Sequence, residues 1–246
     1  MNDDKEIKSS FGAYLVRFFD LLVADTKALE EFKSRQVSKA IAFAPARLID
    51  SVDDMLAKWQ KFSADGTTKS AHNLLPVMLV AMDKTFTPTG RSGSSYQITD
   101  SPFVIMKNDP KERAFKIRTI SSDYRAQVVI FSQDVASARS IASQLMLFVD
   151  ALENRRMSVN HRFSGIDETW IAQVSNPDNP VMNIPNGAKN LTILTVDFTI
   201  KTTTPMYSAP ALGEPNDGKG DPLNKDDLAG FLLVELVTSS GNVVSK

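Results

Sequence analysis

The stretch from Phe115 to Tyr207 constrains the fold more than any other part of the chain. Phe115, Ile117 and Thr119 fall at alternate positions, and after Ser121-Ser122-Asp123 the alternation resumes at Tyr124, Ala126, Val128 and Ile130. A period of two belongs to a half-buried strand, so the spacing predicts two antiparallel strands joined by that polar turn. Asp134 is placed to cap a helix from Val135 to about Arg156. On it Ile141, Leu145, Phe148 and Leu152 recur at four, three and four residues, with Ala138 and Ala142 beside them. Residues 157–163 and 169–174 read as strands around Gly165-Ile166-Asp167. Leu194, Val196, Phe198 and Ile200 then alternate with Thr195, Asp197, Thr199 and Lys201, which predicts a half-buried strand stopped by Pro205.

Upstream, Ser9 and Ser10 are candidate caps for a helix over residues 11–35, with Phe11, Tyr14, Leu15, Phe18, Leu22 and Leu29 in one stripe. Phe19 and Val23 lie off that stripe, so this helix is expected to bury more than one face. Pro45 interrupts the run. Ser51 and Asp54 form a variant capping box around Val52, Met55, Leu56, Trp59 and Phe62, which predicts a helix over 52–62. Residues 74–82 read as a strand entered at Pro76, and 85–96 as a loop or hairpin arm. A short strand is expected over 103–107, with turns at Asn108-Asp109-Pro110, at 176–180 and at 184–187. From Ser208 to Asp227 the composition turns to Gly, Pro, Asn, Asp and Lys, too polar to form a core, and a last apolar patch spans 231–237. The expected organisation is one domain over 1–207, with N-terminal helices in 11–62 and sheet plus helix in 74–207. An extended arm over 208–246 follows. The class is α+β: a mixed, mainly antiparallel sheet packed with amphipathic helices and carrying extended arms.

Chemistry leaves little trace. Twenty-eight basic and 29 acidic side chains give a net charge of −1, so bulk electrostatics demand neither nucleic acid nor an anionic membrane. The absence of cysteine removes disulfides, thiolate metal sites and cysteine nucleophiles and fits a reducing cytoplasm, while His72 and His161 alone offer little to zinc. No apolar run approaches the roughly 20 residues of a spanning helix, and the acidic Met1-Asn2-Asp3-Asp4 is unlike a signal peptide; a soluble protein is expected. Gly66-Thr67-Thr68-Lys69-Ser70 has Thr68 where a phosphate loop needs Gly, and Gly90-Arg91-Ser92-Gly93 follows no strand-to-helix junction. Asp53-Asp54 and Asp167-Glu168 are sequence neighbours whose side chains diverge, so a helix start and a turn explain them better than acid-base work. Asn190-Leu191-Thr192 is read as a chance sequon. Arg155, Arg156, His161 and Arg162 form one local basic cluster without aromatic interleaving, read as surface more than as a nucleic-acid site, with the two arginines complementing a helix end. No catalytic, cofactor-binding or metal-binding residue is expected, and no enzymatic activity.

Tyr124-Arg125-Ala126-Gln127-Val128-Val129-Ile130-Phe131 leading into a helix, and residues 191–201 closing the sheet before Thr204-Pro205, resemble the tail terminator and neck proteins of tailed bacteriophages. The resemblance covers residues 74–207 and lies in the order of elements. It implies a virion structural protein: an α/β subunit forming a ring, usually a hexamer, on the last tail-tube ring and joining the tail to the head connector. Partners implied are copies of itself, tail tube, sheath and head-completion proteins, with DNA passing through the ring unrecognised and no membrane or cofactor involved. Residues 85–96 and 208–246 would then reach into neighbouring subunits. Other readings are a different neck or baseplate subunit, an enzyme with a dispersed active site, and a nucleic-acid-binding module, which the balanced charge disfavours.

Overall fold

A computed structural model describes residues 3–64, 75–89, 103–105, 113–163, 166–175, 181–185, 190–210, 236–237 and 243–244. Its helices are α1 (Asp3–Leu21), α2 (Lys27–Ser34), α3 (Val37–Ala40), α4 (Val52–Ala64) and α5 (Val135–Asp150). The strands are β1 (Ile41–Phe43), β2 (Val77–Pro88), β3 (Phe103–Ile105), β4 (Ala114–Ser132), β5 (Arg156–Phe163), β6 (Ile166–Ser175), β7 (Met182–Asn183), β8 (Thr192–Ser208), β9 (Leu236–Val237) and β10 (Val243–Val244). Eight of them form a sheet in the order β1-β2-β4-β8-β6-β5, with β3 beside β4 and β7 beside β8, while β9 and β10 pair with each other. The β1–β2 pair is parallel and the other pairs are antiparallel. This is the α+β class that the sequence predicts.

Side-chain alternation divides the core in two. Even-numbered residues of β4 and β8, among them Tyr124, Ala126, Val128, Val196, Phe198 and Ile200, pack under α1, α2 and α5. Odd-numbered Val129, Phe131 and Ile193 pack on the other face, against Leu48, Val52, Met55 and Leu56 around the start of α4. The expected stripe is buried throughout, from Phe11 on α1 at 0 % exposure through Leu22 just after it at 2 % to Leu29 on α2 at 0 %. Aromatic contacts knit it to the layer beneath, with Tyr14 edge-on to Phe148 at 5.1 Å and Phe11 6.2 Å from Phe198. On α4, Val52, Met55 and Leu56 are buried as expected.

Several expectations are corrected. Residues 11–35 do not form one helix: α1 ends at Leu21, and α2 starts afresh at Lys27, where the Thr26 hydroxyl accepts the Leu29 N–H at 3.2 Å. Gln144 holds the break open by bonding both the N–H and the C=O of Val23, at 2.8 and 3.0 Å. Ser9 and Ser10 lie inside α1 and do not cap it.

No turn occurs at Ser121-Ser122-Asp123. β4 runs unbroken for 19 residues, and these three pair with Thr203, Thr202 and Lys201 of β8. The alternation changes phase there because residues 115–120 reach past the helical layers, where both faces are only partly covered and phase carries no information. β2 likewise continues to Pro88 through part of the expected loop, after a register shift between Met82 and Phe86.

Pro205 does not stop β8. Thr89 donates to Ser121 O, so the odd-numbered backbone groups of β4 face β2, and Thr119↔Pro205 is a pair without mutual hydrogen bonds. The proline nitrogen therefore faces away from β4, where the β6 ladder has already ended at Lys201. No ladder bond is lost.

Helix α5 ends at Asp150 and not near Arg156, which opens β5. A 3-10 turn, Leu152–Asn154, follows, leaving Leu152 76 % exposed and off the core. The expected cap does form, with Asp134 Oδ1 accepting the Ser137 N–H at 2.7 Å. Expectations for residues 65–73, 90–96, 106–112, 176–180, 186–187 and most of the tail, and for the side chains of Trp59 and Phe62, lie outside the described residues.

Candidate assembly surfaces

The basic cluster of the sequence is not one patch. Arg155 reaches back to Asp150, donating to its carbonyl at 3.1 Å and its carboxylate at 2.6 Å, the helix-end role expected of it. Arg162 pairs with Asp167 at 2.7 Å on the exposed face of β5 and β6, which keeps the guanidinium charged to higher pH than usual. His161, expected at a surface or an interface, is 1 % exposed beneath α1, its Nδ1 3.2 Å from Glu6 Oε2. Glu6 Oε1 accepts the Arg162 N–H at 3.2 Å, so one carboxylate ties the start of α1 to β5.

The paired carboxylates diverge as predicted, but Asp167 and Glu168 lie at the start of β6 and not in the expected turn. Asp167 serves Arg162, whereas Glu168 accepts the Trp170 indole N–H at 3.0 Å. Burial, with a smaller contribution from Glu168, pushes the Tyr207 phenol up. Asp53 and Asp54 sit exposed in the first turn of α4. Among the described residues no group of three or more His, Cys, Asp or Glu is placed to hold a metal ion, and no helix is long and apolar enough to cross a membrane.

A polar network not singled out from the sequence lies on the α4 face. Arg125 donates to both oxygens of Asp50, at 2.8 and 2.9 Å, and to both of Asp197, at 3.0 and 3.2 Å. Gln127 bonds the Asp50 carboxylate and accepts its N–H. Arg125 and Asp197 share a face because both occupy odd positions of adjacent strands, which the alternation could have shown. Asp50 carried no such signal. Arg125 hydrogen-bonds both carboxylates of this network, so it clamps the segment before α4 to the sheet.

Three surfaces remain for partners. β4 and β8, 19 and 17 residues long, pair from Ser132↔Thr192 to Lys116↔Ser208. Strands of globular proteins usually have 3–10 residues, so at ~3.3 Å per residue this ribbon is about 60 Å long and overruns its helices. The second face of β5 and β6 has no helix on it among the described residues and exposes Ser158, Asn160, Thr169, Ile171 and Gln173. Last, Leu21 at the end of α1, Val23 just after it, Leu147 on α5 and Leu152 just after α5 are large apolar side chains that stand exposed. The chain matches no protein-family model and no curated protein.

Proposed function

We propose that this chain is a structural subunit of a virion, forming a ring at the top of a phage tail and joining the tail to the head connector. The support is the element order that resembles tail terminator and neck proteins, together with one physical feature, the β4–β8 ribbon. Toward the far end of this ribbon β3 covers β4 from Ala114 to Lys116, while residues 117–120 of β4 and 202–208 of β8 have no further ladder partner among the described residues, which leaves backbone open to strand addition. Such a ribbon serves contact between copies better than catalysis. On this reading the partners are copies of itself, usually six, and the tail tube, sheath and head-completion proteins, and the protein resides in the virion and is not an enzyme.

Closed rings arise when one patch binds a different patch on the next copy and the rotation closes. Mass photometry and negative-stain imaging of the purified full chain test this: a single discrete multimer with a central opening is expected. A monomer that persists at about 10 µM, a concentration at which a weak 1 µM interface is mostly occupied, overturns the ring.

A further inference from the structure

The sheet forks between β6 and β8. Their ladder runs from Ser175↔Thr199 to Gln173↔Lys201 and stops there, although β6 begins at Ile166 and β8 continues to Ser208. Past the last pair, residues 166–172 have only β5 as ladder partner among the described residues, and residues 202–208 have only β4.

The neighbouring ladders fix which backbone groups line the opening. Ser121 O accepts the Thr89 N–H on the β2 side, so odd-numbered residues of β4 turn from β8, and their odd-numbered partners on β8 turn from β4. On β6, the Val174 N–H donates to Arg155 O, so even-numbered residues face β5 and odd-numbered ones face the opening. Continued in the register of Gln173↔Lys201, the next hydrogen-bonded pairs would be Ile171 with Thr203, Thr169 with Pro205 and Asp167 with Tyr207. The middle one is defective. Pro205 has no N–H for the Thr169 carbonyl, and its ring fills the space a donor would need. The strands have not parted far: burial raises the ionisation of the Tyr207 phenol and Glu168 of β6 adds to it, so side chains still meet across the opening.

We propose that Pro205 is a built-in stop that keeps the β6–β8 ladder from closing beyond Lys201 and so holds the far half of β8 open as a sheet edge. Edge prolines usually keep foreign strands out, and here the missing donor keeps out the chain's own strand. A residue with an N–H at this position lets β6 follow β8 as far as Tyr207, and the sheet then satisfies that edge from within. With proline in place, Thr203 and Tyr207 keep their N–H groups on the edge. The inference concerns two strands of one chain and stands apart from any role in a virion.

Amide hydrogen exchange of the full chain tests this on Pro205→Val, whose side chain suits a strand. The Ile171 and Thr203 amides are expected to exchange at least about tenfold more slowly than in the wild type, because the extended ladder gives them partners. Unchanged exchange overturns the proposal. A second measurement leaves Pro205 in place and uses the absence of cysteine from the chain. Ile171→Cys/Thr203→Cys is expected to oxidise at least about tenfold more slowly than Gln173→Cys/Lys201→Cys, since a disulfide needs Cα atoms about 4.4–6.8 Å apart and only the second couple is a ladder pair. Equal rates overturn the fork. Adding Pro205→Val to the first couple should raise its rate toward that of the second, and a rate that stays low overturns the role of the proline.

Discussion

Asp50 and Arg125, 75 residues apart in sequence, are joined by two hydrogen bonds of 2.8 and 2.9 Å. Asp50 stands at φ 64°, in the left-handed region that non-glycine residues seldom occupy. The ion pair and the Gln127 contacts hold that conformation, and with it the entry angle of α4. Val52, Met55 and Leu56 then meet Val129 and Phe131 across the second core.

Hydrogen bonding from Arg125 draws the Asp50 carboxyl below the ordinary aspartate range. A depressed folded value means stabilisation that is complete above the unfolded value near 3.9 and is lost as pH falls below it. Asp50→Asn, which tolerates the same backbone, is expected to lower stability at pH 7 by about 0.5–1 kcal/mol, the range for a partly exposed pair. Denaturant melts at pH 7 and pH 3 check this. The deficit should shrink at pH 3, and a constant deficit refutes the linkage.

Phe148 and Leu152 were one stripe in the sequence but have opposite fates in the fold, at 7 % and 76 % exposure. Phe148→Ala removes the ring that meets Tyr14 and Phe18 and is expected to cost about 3–5 kcal/mol. Leu152→Ala should change stability by less than about 0.5 kcal/mol. Thermal unfolding of the pair gives the comparison, and similar losses would place Leu152 back in the core.

The Tyr14 ring is buried and its hydroxyl has no hydrogen-bond partner among the described residues. Burial raises its ionisation above the usual tyrosine range, opposed weakly by Arg17. A raised folded value gives a contribution that is complete below about pH 10 and lost above it. Tyr14→Phe is therefore expected to stabilise the fold by roughly 1 kcal/mol at pH 7 and to remove part of its alkaline loss. A destabilised variant would reveal a partner for the hydroxyl.

Arg155 and Arg162 are committed to Asp150 and Asp167. Replacing Arg155, Arg156 and Arg162 together by Gln should leave any affinity for duplex DNA almost unchanged at roughly 0.15 M salt, measured by fluorescence anisotropy. Loss of wild-type DNA binding in that variant would assign the three to nucleic acid.

Deleting residues 209–246 removes nothing from the eight-stranded sheet, whose last strand ends at Ser208. The truncated chain should melt as the full one does and self-associate less. Unchanged assembly in sedimentation would deny the tail any part in it.

What could be read in advance follows from how strongly water distinguishes two sides of an element. Ile141, Leu145 and Phe148 showed their helix, and Leu194 to Ile200 their strand, because one side is dry and the other wet. Beyond the helices that contrast fades, and so the sequence of β4 reads as two strands and Pro205 as a terminus. The break at Val23 does have a local sign: Asp25-Thr26 ahead of Leu29 and Glu30 is cap chemistry. Burial of His161 had no local sign, since it depends on where the start of α1 lies. The Arg125 network, too, needs Asp50 brought in from far along the chain.

The central ladder also sets an order of events during synthesis. Ser121 and Thr203 are 82 residues apart, and Arg125 and Asp197 are 72. On the ribosome α1, β2 and β4 emerge long before β8, and until it arrives they have a floor missing its middle plank. The β5–β6 hairpin is the exception, because its pairing is local and can form while the rest waits. A nascent chain stalled before residue 192 should therefore expose the apolar side of β4 to chaperones, and release of the last strand should make the whole sheet close in one late step.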